Sequence, residues 1–200
     1  MNFSEDLIHL VAVDRRFSDL KDDFGLPNWE KSDKLFHPLC KGIIYQQLSG
    51  KAASTIYKRF LEFYCNELPT RQQILNTEVE KLRTIGLSRN KAQYIKNIAE
   101  YFSIEPDNFN TCKPLTNKEI SKRLLEIKGI GQWTIDLALM SSFGRKDVLP
   151  TGDLGVRKGL KIYFSLDSLP IEKEMYMLTQ NWKPFRSLGS WFMWQLVDSA

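Results

Sequence analysis

The sequence lacks long apolar runs and has little cysteine. No stretch approaches the roughly 18 consecutive apolar residues of a membrane-spanning helix, and the acidic start, residues 1–6, lacks the basic and apolar regions of a secretion signal. A cytoplasmic location without membrane association is therefore expected. Cys40, Cys65 and Cys112 lie far apart and form no CxxC pair, which argues against a zinc site or an iron–sulfur cluster.

Patterns of alternating apolar and polar residues typical of strands are also lacking, as are internal repeats and low-complexity tracts. The chain has 200 residues and a hydrophobic content of 42%, enough for one core or for two small lobes that share one. Apolar residues instead recur at helical spacing, for example over 7–20 and 91–102. The sequence therefore predicts an all-α fold.

Several polar residues carry the signals of helix N-termini. Thr77 with Glu80 and Thr116 with Glu119 have the spacing of capping boxes, and Ser88 stands before another helical pattern. We expect a helix to start at each of these three places.

The positive charge is small overall but locally concentrated. The net charge of +4 only permits an anionic partner. Residues 145–161 contain five basic and two acidic side chains, a local net charge of +3. Such a cluster can contact an anionic partner; the alternative interpretation is an ordinary solvated face.

A glycine turn separates two helical patterns at 128–131. Gly129 and Gly131 flank Ile130, and a helix is expected from Gln132 onward. Glycine lets the backbone approach a ligand closely, and the free amides of a helix N-terminus favour an anion such as phosphate. A plain helix–helix turn is the alternative, because so short a motif is not specific.

Four segments in order resemble one family. The hairpin segment is Leu125-x-Ile127-x-Gly129-Ile130-Gly131-x-Trp133-Thr134, followed by Pro150-x-x-Asp153. Upstream lie Ile44-Tyr45-Gln46-Gln47-Leu48-Ser49 and Leu82-Arg83-x-x-Gly86-Leu87-Ser88-x-x-Lys91-Ala92-x-Tyr94-Ile95, and downstream lies Trp182-Lys183-Pro184-Phe185-Arg186-Ser187. Together they resemble the helix-hairpin-helix, Gly-Pro-Asp (HhH-GPD) superfamily of DNA glycosylases, and most closely its 3-methyladenine-DNA glycosylase II type.

The resemblance implies that Asp153 is the catalytic aspartate. A carboxylate near C1′ can stabilise an oxocarbenium-like transition state and orient the attacking water. The alternative is that Asp153 only caps a helix, which is a frequent role of aspartate, and the two roles are compatible.

Three residues stand at positions that the resemblance assigns to the base pocket. Trp133 stands where lyase-competent branches carry a lysine nucleophile, and an indole forms no Schiff base; we therefore expect a monofunctional enzyme. Trp133 and Trp194 can stack on electron-poor alkylated purines, although both are also suited to core packing. Leu137 replaces the pocket tyrosine of the bacterial type, which leaves the substrate range open.

The remaining site residues implied by the resemblance contact DNA. Leu48 matches the wedge that fills the gap left by a flipped base, and Gln46 and Gln47 beside it either bond base edges or orient the loop; a buried leucine at a helix end is the alternative. Phosphate contacts are expected from the hairpin and the basic cluster: Lys128, Gly129, Gly131, Thr134, Arg157 and Lys158. The carbonyls of Leu125, Ile127 and Ile130 are expected to hold a structural Na⁺ or K⁺.

The resemblance as a whole predicts a two-lobed HhH-GPD unit spanning 1–200, with a cleft between helical lobes. One lobe is expected over about 69–164 and the other over 1–68 plus 165–200. We expect a monomer without a cofactor that removes 3-methyladenine or 7-methylguanine from double-stranded DNA, at the nucleoid of a bacterium or in a eukaryotic nucleus. The alternatives are a non-catalytic DNA-binding protein and a glycosylase for deaminated or oxidised bases.

Overall fold

All the regular secondary structure in the described part of the protein is helical. The computed structural model describes residues 1–29, 34–48, 50–105, 109 and 115–199. Within these ranges every regular element is a helix, which confirms the predicted all-α class. None of these helices is long and apolar enough to cross a membrane. The helices are α1 Ser4–Val13, α2 Arg16–Phe24, α3 Phe36–Tyr45, α4 Gly50–Phe63, α5 Arg71–Asn76, α6 Val79–Thr84, α7 Arg89–Ile104, α8 Asn117–Leu124, α9 Gln132–Ser141, α10 Leu154–Tyr163, α11 Glu172–Leu178 and α12 Arg186–Asp198, with a 3₁₀ turn at Gln180–Trp182.

Two of the three predicted helix caps are confirmed. Ser88 accepts the Lys91 amide at the start of α7, and Thr116 forms a capping box with Glu119 at the start of α8. The predicted box at Thr77 is wrong, because the Thr77 hydroxyl donates to the carbonyl of Gln73 and no side chain caps α6.

The apolar stripe over 7–20 belongs to two helices. The chain leaves α1 at Asp14, which has extended backbone angles, φ −151° and ψ 113°. The Asp14 carboxylate accepts the Arg16 amide at 3.0 Å and starts α2. A local hydrogen bond from a main-chain amide to an acidic side chain therefore interrupts a pattern that looks continuous in sequence.

The chain divides into two compact units. The central unit is Ser32–Ala138, and the discontinuous unit joins Met1–Lys31 to Leu139–Ala200. The sequence-based boundaries lay near 69 and 164 instead. Residues 139–164 group with the chain termini because α10 packs directly along α12.

The core of the discontinuous unit is rich in aromatic side chains. Phe17, Trp182 and Phe192 are at most 2% exposed, and the Phe17 ring meets the other two edge-on or tilted, with centroids 5.2 and 5.7 Å apart. Helices α10 and α12 cross closely at Gly159, where a Cβ would overlap the main chain of Met193. This approach fixes the middle of α10 against α12.

The central unit is organised around α7. This helix, sixteen residues long, contacts α3, α5 and α6. Its buried face carries Ala92, Ile95, Ile98, Ala99 and Phe102. The apolar spacing predicts this face together with Tyr94, which is half-buried.

Substituting Gly159 by alanine should destabilise the protein. The added methyl group would overlap the carbonyl group and the Cβ of Met193, none of which can move without the main chain of α12, and overpacking of this kind costs about 1–3 kcal/mol. Thermal unfolding should show a lower Tm. The matched control is Gly152→Ala, where a Cβ meets no atom within 4 Å; an equal loss in both variants would show that the α10–α12 crossing is not the cause.

Candidate active site

Asp153 occupies the N-terminus of α10. It is the N-cap of that helix, with φ −84° and ψ 120°, and its Oδ1 accepts the Val156 amide at 2.8 Å. The residue is only 7% exposed. A carboxylate at this position is favoured by the partial positive charge of the helix terminus, so the capping role that the sequence allowed is present.

Trp194 reaches the same carboxylate oxygen from α12. Its indole Nε1 donates to Asp153 Oδ1 at 2.9 Å. The contact requires a residue without a side chain at 155, where a Cβ would lie 2.9 Å from Trp194 Cδ1 and 3.0 Å from Asp153 Oδ1. Trp194 is half-buried and packs on the core of the discontinuous unit. The predicted pocket tryptophan is therefore a hydrogen-bond donor to the predicted catalytic acid.

The loop before Asp153 is held by the first turn of α12. The Ser187 hydroxyl donates to the Arg145 carbonyl at 2.7 Å and accepts the Val148 amide at 3.0 Å. Arg186 donates two hydrogen bonds of 2.5 and 2.9 Å to the Asp147 carboxylate. The sequence motif contained both residues, but their role depends on contacts about forty positions apart and had no local signal.

A buried carboxylate fixes the same loop to α1. Asp6 is 1% exposed, and its Oδ1 accepts a bond of 2.8 Å from Lys146 Nζ. Lys146 also bonds Glu5 at 3.0 Å, and these bonds raise the pKa of Lys146, the Asp6 bond most of all.

The hairpin turn lies in the central unit, between α8 and α9. Gly129 has φ 108°, and a Cβ there would overlap the ring of Tyr94 on α7. The turn is closed by the Ile130 amide, which bonds the Ile127 carbonyl at 3.0 Å. Gly131 is exposed and a Cβ there would meet no atom within 4 Å, so the backbone at the start of α9 is open to a ligand.

The predicted phosphate contacts differ in accessibility. Lys128 and Lys158 are exposed, whereas Arg157 is half-buried and its Nε donates to the Pro170 carbonyl at 3.0 Å. Thr134 is 2% exposed, which leaves its main-chain amide, in the first turn of α9, as the group suited to a phosphate.

The wedge candidates form the turn after α3. Leu48 is 39% exposed, so it is not the buried leucine of the alternative interpretation. Gln47 is exposed and has φ 57°, in the left-handed region that is unusual for glutamine. Gln46 is half-buried and its Nε2 donates to Thr134 Oγ1 at 2.9 Å and to the Gly129 carbonyl at 3.3 Å. The neighbouring motif residue Ser49 lies outside the described residues.

Trp133 and Leu137 are one helical turn apart on α9. Both are half-buried, and their spacing of four places them on one side of the helix. Their role as pocket walls stays a prediction.

The carbonyls predicted to hold a cation belong to the segment between α8 and α9. Main-chain carbonyl oxygens suit Na⁺ or K⁺, and the Ile127 oxygen retains a second lone pair beside its bond to Ile130. The donor chemistry is therefore compatible with a monovalent cation held by Leu125, Ile127 and Ile130.

Asp136 is a buried carboxyl group that sequence reasoning missed. It is 8% exposed, and burial raises its pKa to about 6, an effect partly offset by a bond of 2.7 Å from Gln132 Nε2. Its only signal in the sequence is an acidic residue among the apolar residues of α9.

Comparison with known proteins places this geometry in a family. Residues 40–185 match the family model of HhH-GPD superfamily base excision DNA repair proteins. DNA-3-methyladenine glycosylase 1 of Schizosaccharomyces pombe is 32% identical over 96% of this chain and 87% of its own length. The alkylbase DNA glycosidase-like protein mag2 of the same organism is 30% identical over 94% and 91%. The solved structure of S. pombe 3-methyladenine DNA glycosylase Mag1 in complex with abasic DNA superposes with a TM-score of 0.83 at 30% identity, covering 98% of this chain and 97% of that one.

The chain belongs to the HhH-GPD superfamily of base excision DNA repair proteins. The membership predicted from the four sequence segments is thus confirmed.

Replacing Asp136 by asparagine should make protein stability less dependent on pH. The pKa of the Asp136 carboxyl group is about 6 in the folded protein and near 3.8 when unfolded. Between these two pH values the group is protonated in the native state and ionised in the unfolded state. Stability therefore falls as the pH rises through that window. At pH 8 the asparagine variant should be more stable by on the order of 2 kcal/mol, and at pH 4 the two proteins should be nearly equal.

Denaturant unfolding at pH 4, 6 and 8 measures this difference. The control is Glu67→Gln, an exposed carboxyl in the same unit, which should shift stability by less than about 0.5 kcal/mol. An asparagine variant less stable than the parent at pH 8 would contradict the assignment of a buried, destabilising carboxylate.

Proposed function

We propose that this protein is a monofunctional DNA glycosylase that hydrolyses the N-glycosidic bond of alkylated purines and leaves an abasic site for base excision repair. The observation that carries this proposal is the Asp153 carboxylate, buried at a helix N-terminus and held by two donors on one oxygen. Family membership supplies the reaction class.

Orientation of the carboxylate is the chemical role of these two bonds. The Val156 amide and the Trp194 indole both end on Oδ1, which fixes the rotation of the Asp153 side chain. Departure of the purine leaves positive charge on the sugar, and a preorganised carboxylate stabilises that charge without reorganising during the reaction. The same group can orient the attacking water.

Hydrolysis without strand cleavage follows from the residue at 133. A lyase needs an amine that attacks C1′ and forms a Schiff base. The indole of Trp133 has no such nucleophile, so water is the attacking group and the product is an abasic site in an intact strand.

Alkylated purines are the substrates best matched to the aromatic residues. Alkylation at N3 or N7 makes the purine cationic, which strengthens its attraction to an aromatic face and weakens the bond to the sugar. Trp133 offers such a face, with Leu137 one turn along α9 as an aliphatic neighbour. The names of the two S. pombe relatives, a 3-methyladenine glycosylase and an alkylbase glycosidase-like protein, support this substrate class.

Double-stranded DNA is the proposed partner. Lys128, Lys158 and the open amides near Gly131 contact phosphates, Leu48 fills the gap left by the flipped base, and a Na⁺ or K⁺ on the hairpin carbonyls adds a structural contact. The Mag1 structure with abasic DNA supports the DNA partner. The protein acts as a monomer without a catalytic cofactor, at the nucleoid of a bacterium or in the nucleus of a eukaryote.

Asp153→Asn should abolish most base release while leaving the fold intact. Asparagine is an equally good N-cap and can still accept the Val156 amide, but it carries no charge to stabilise the sugar cation. Single-turnover release of methylated purines, resolved by chromatography, should slow by at least about 100-fold. Binding to abasic DNA should change by no more than a few-fold.

Retained base release in this variant would contradict the mechanism. Failure of the parent protein to release any methylated purine would instead indicate a non-catalytic DNA-binding protein or a different base.

Trp194→Phe should separate the hydrogen bond from the aromatic ring. Phenylalanine keeps an aromatic side chain but removes the donor to Asp153 Oδ1, and we expect single-turnover release to slow about fivefold to tenfold. The matched control is Trp191→Phe on the same helix, whose ring lies against Phe192 with centroids 5.1 Å apart. Equal rates for the two variants would show that the indole donor does not position the carboxylate.

A further inference from the structure

Hydrogen bonds from the side chain of Gln46 join the turn that carries Leu48 to the hairpin. Gln46 belongs to that turn, and its Nε2 reaches both the Gly129 carbonyl and the Thr134 hydroxyl, 83 and 88 positions along the chain. All these residues lie in the central unit.

The identity of the Gln46 contacts is fixed by the chemistry of the partners. A main-chain carbonyl accepts only, so the amide nitrogen of Gln46 must face Gly129. The NH₂ group has two hydrogens, and the two bonds use both. Donation from Gln46 to a base edge would therefore break a contact with the hairpin, which favours orienting the loop over reading bases.

A second support of the turn comes from α7. Lys91 Nζ donates to the Ile44 carbonyl at 2.9 Å and to the Gln46 carbonyl at 2.7 Å, at the C-terminal end of α3. A cation at this end of a helix satisfies carbonyls that have no intrahelical partner. Burial also lowers the pKa of Lys91.

The hairpin rests on the same helix. Gly129 lies against the Tyr94 ring, and Asn97 Nδ2 donates to the Lys128 carbonyl at 3.0 Å. Lys91, Tyr94 and Asn97 follow one another at a spacing of three, which brings them to one side of α7. The helix thus supports both the turn with Leu48 and the turn with Gly129, and Gln46 connects the two directly.

We propose that Gln46 is a positioning residue that couples the docking of a DNA phosphate on the hairpin to the insertion of Leu48 into the base stack. Because the two turns are joined, a DNA phosphate that binds at 129–134 sets the depth and direction at which Leu48 enters the duplex. The exposed leucine is then already ordered before DNA binds, so binding loses less conformational entropy. This proposal rests on the proposed function for the identity of the DNA partner, and it assigns Gln46 no contact with the reacting atoms.

The test compares Gln46→Ala with Leu48→Ala and the double variant on two substrates. In the first substrate a methylated purine is fully paired, and in the second it lies opposite a missing nucleotide. Extrusion of a paired base costs a few kcal/mol, and less where pairing is already lost. We expect Gln46→Ala to slow single-turnover release about tenfold on the paired substrate and less than about threefold on the unpaired one.

The double variant distinguishes coupling from an independent effect. If Gln46 acts through Leu48, release by the double variant should be no slower than release by Leu48→Ala alone. The proposal would be overturned if the rate losses of the two single variants multiplied in the double variant. It would also be overturned if Gln46→Ala slowed release equally on both substrates. The matched control is Gln72→Ala, an exposed glutamine of the same unit whose Nε2 donates to Asn76 Oδ1 one helical turn away, and it should leave both rates unchanged.

A binding measurement keeps the proposal separate from the glycosylase activity. The probe is a duplex with an abasic-site analogue next to 2-aminopurine, whose fluorescence reports unstacking. The parent protein should change this fluorescence, whereas Gln46→Ala should bind with the same salt dependence and change it much less, as Leu48→Ala does.

The two failures are thereby distinguishable. If no methylated base is released but the fluorescence change depends on Gln46, the proposed substrate is wrong and the coupling stands. If bases are released and Gln46→Ala changes the fluorescence as the parent does, the coupling is wrong and the proposed function stands.

Discussion

The packing of α10 on α12 and the proposed chemistry both depend on one carboxylate oxygen, Oδ1 of Asp153. It accepts the first-turn amide of α10 and the indole of Trp194, so the same atom caps the helix and orients the carboxylate proposed to be catalytic. The geometry requires α10 and α12 to approach closely, which the absence of side chains at Gly155 and Gly159 permits. Fold and chemistry are therefore linked at this point, because a shift of either helix would move the carboxylate.

The central unit uses a similar arrangement for the two turns that are proposed to contact DNA. Helix α7 buries one face in the core and places Lys91, Tyr94 and Asn97 under two separate turns. Loops usually carry binding residues on a rigid scaffold, and here both loops share one scaffold helix. Such an arrangement holds the two contacts in register without requiring either loop to be long.

Part of this structure could be predicted from the sequence, and the successes follow from local physics. The Thr116 box and the Ser88 cap are short-range hydrogen-bond patterns, and Gly129 marks a turn that needs positive φ. The family segments identified the superfamily because four weak motifs occurred in order. Asp153 was recognisable as a cap and, through the resemblance, as the catalytic candidate.

The remainder depends on contacts between distant parts of the chain. Thr77 has the capping spacing, but its hydroxyl is used by the preceding helix. The bonds from Gln46 to Thr134 and from Ser187 to the loop at Arg145 join residues 88 and 42 positions apart. Asp136 gains its raised pKa from burial, which no spacing rule reveals. Tertiary packing, not local propensity, decides these features.

Hydrolysis by water is tested most directly by the fate of the DNA strand when the protein acts on a methylated duplex in the presence of borohydride. If water is the attacking group, the products are free methylated purines and intact strands that break only after alkaline treatment, and no covalent protein–DNA adduct forms. A trapped adduct, or strand breaks before alkaline treatment, would contradict hydrolysis directed by Asp153.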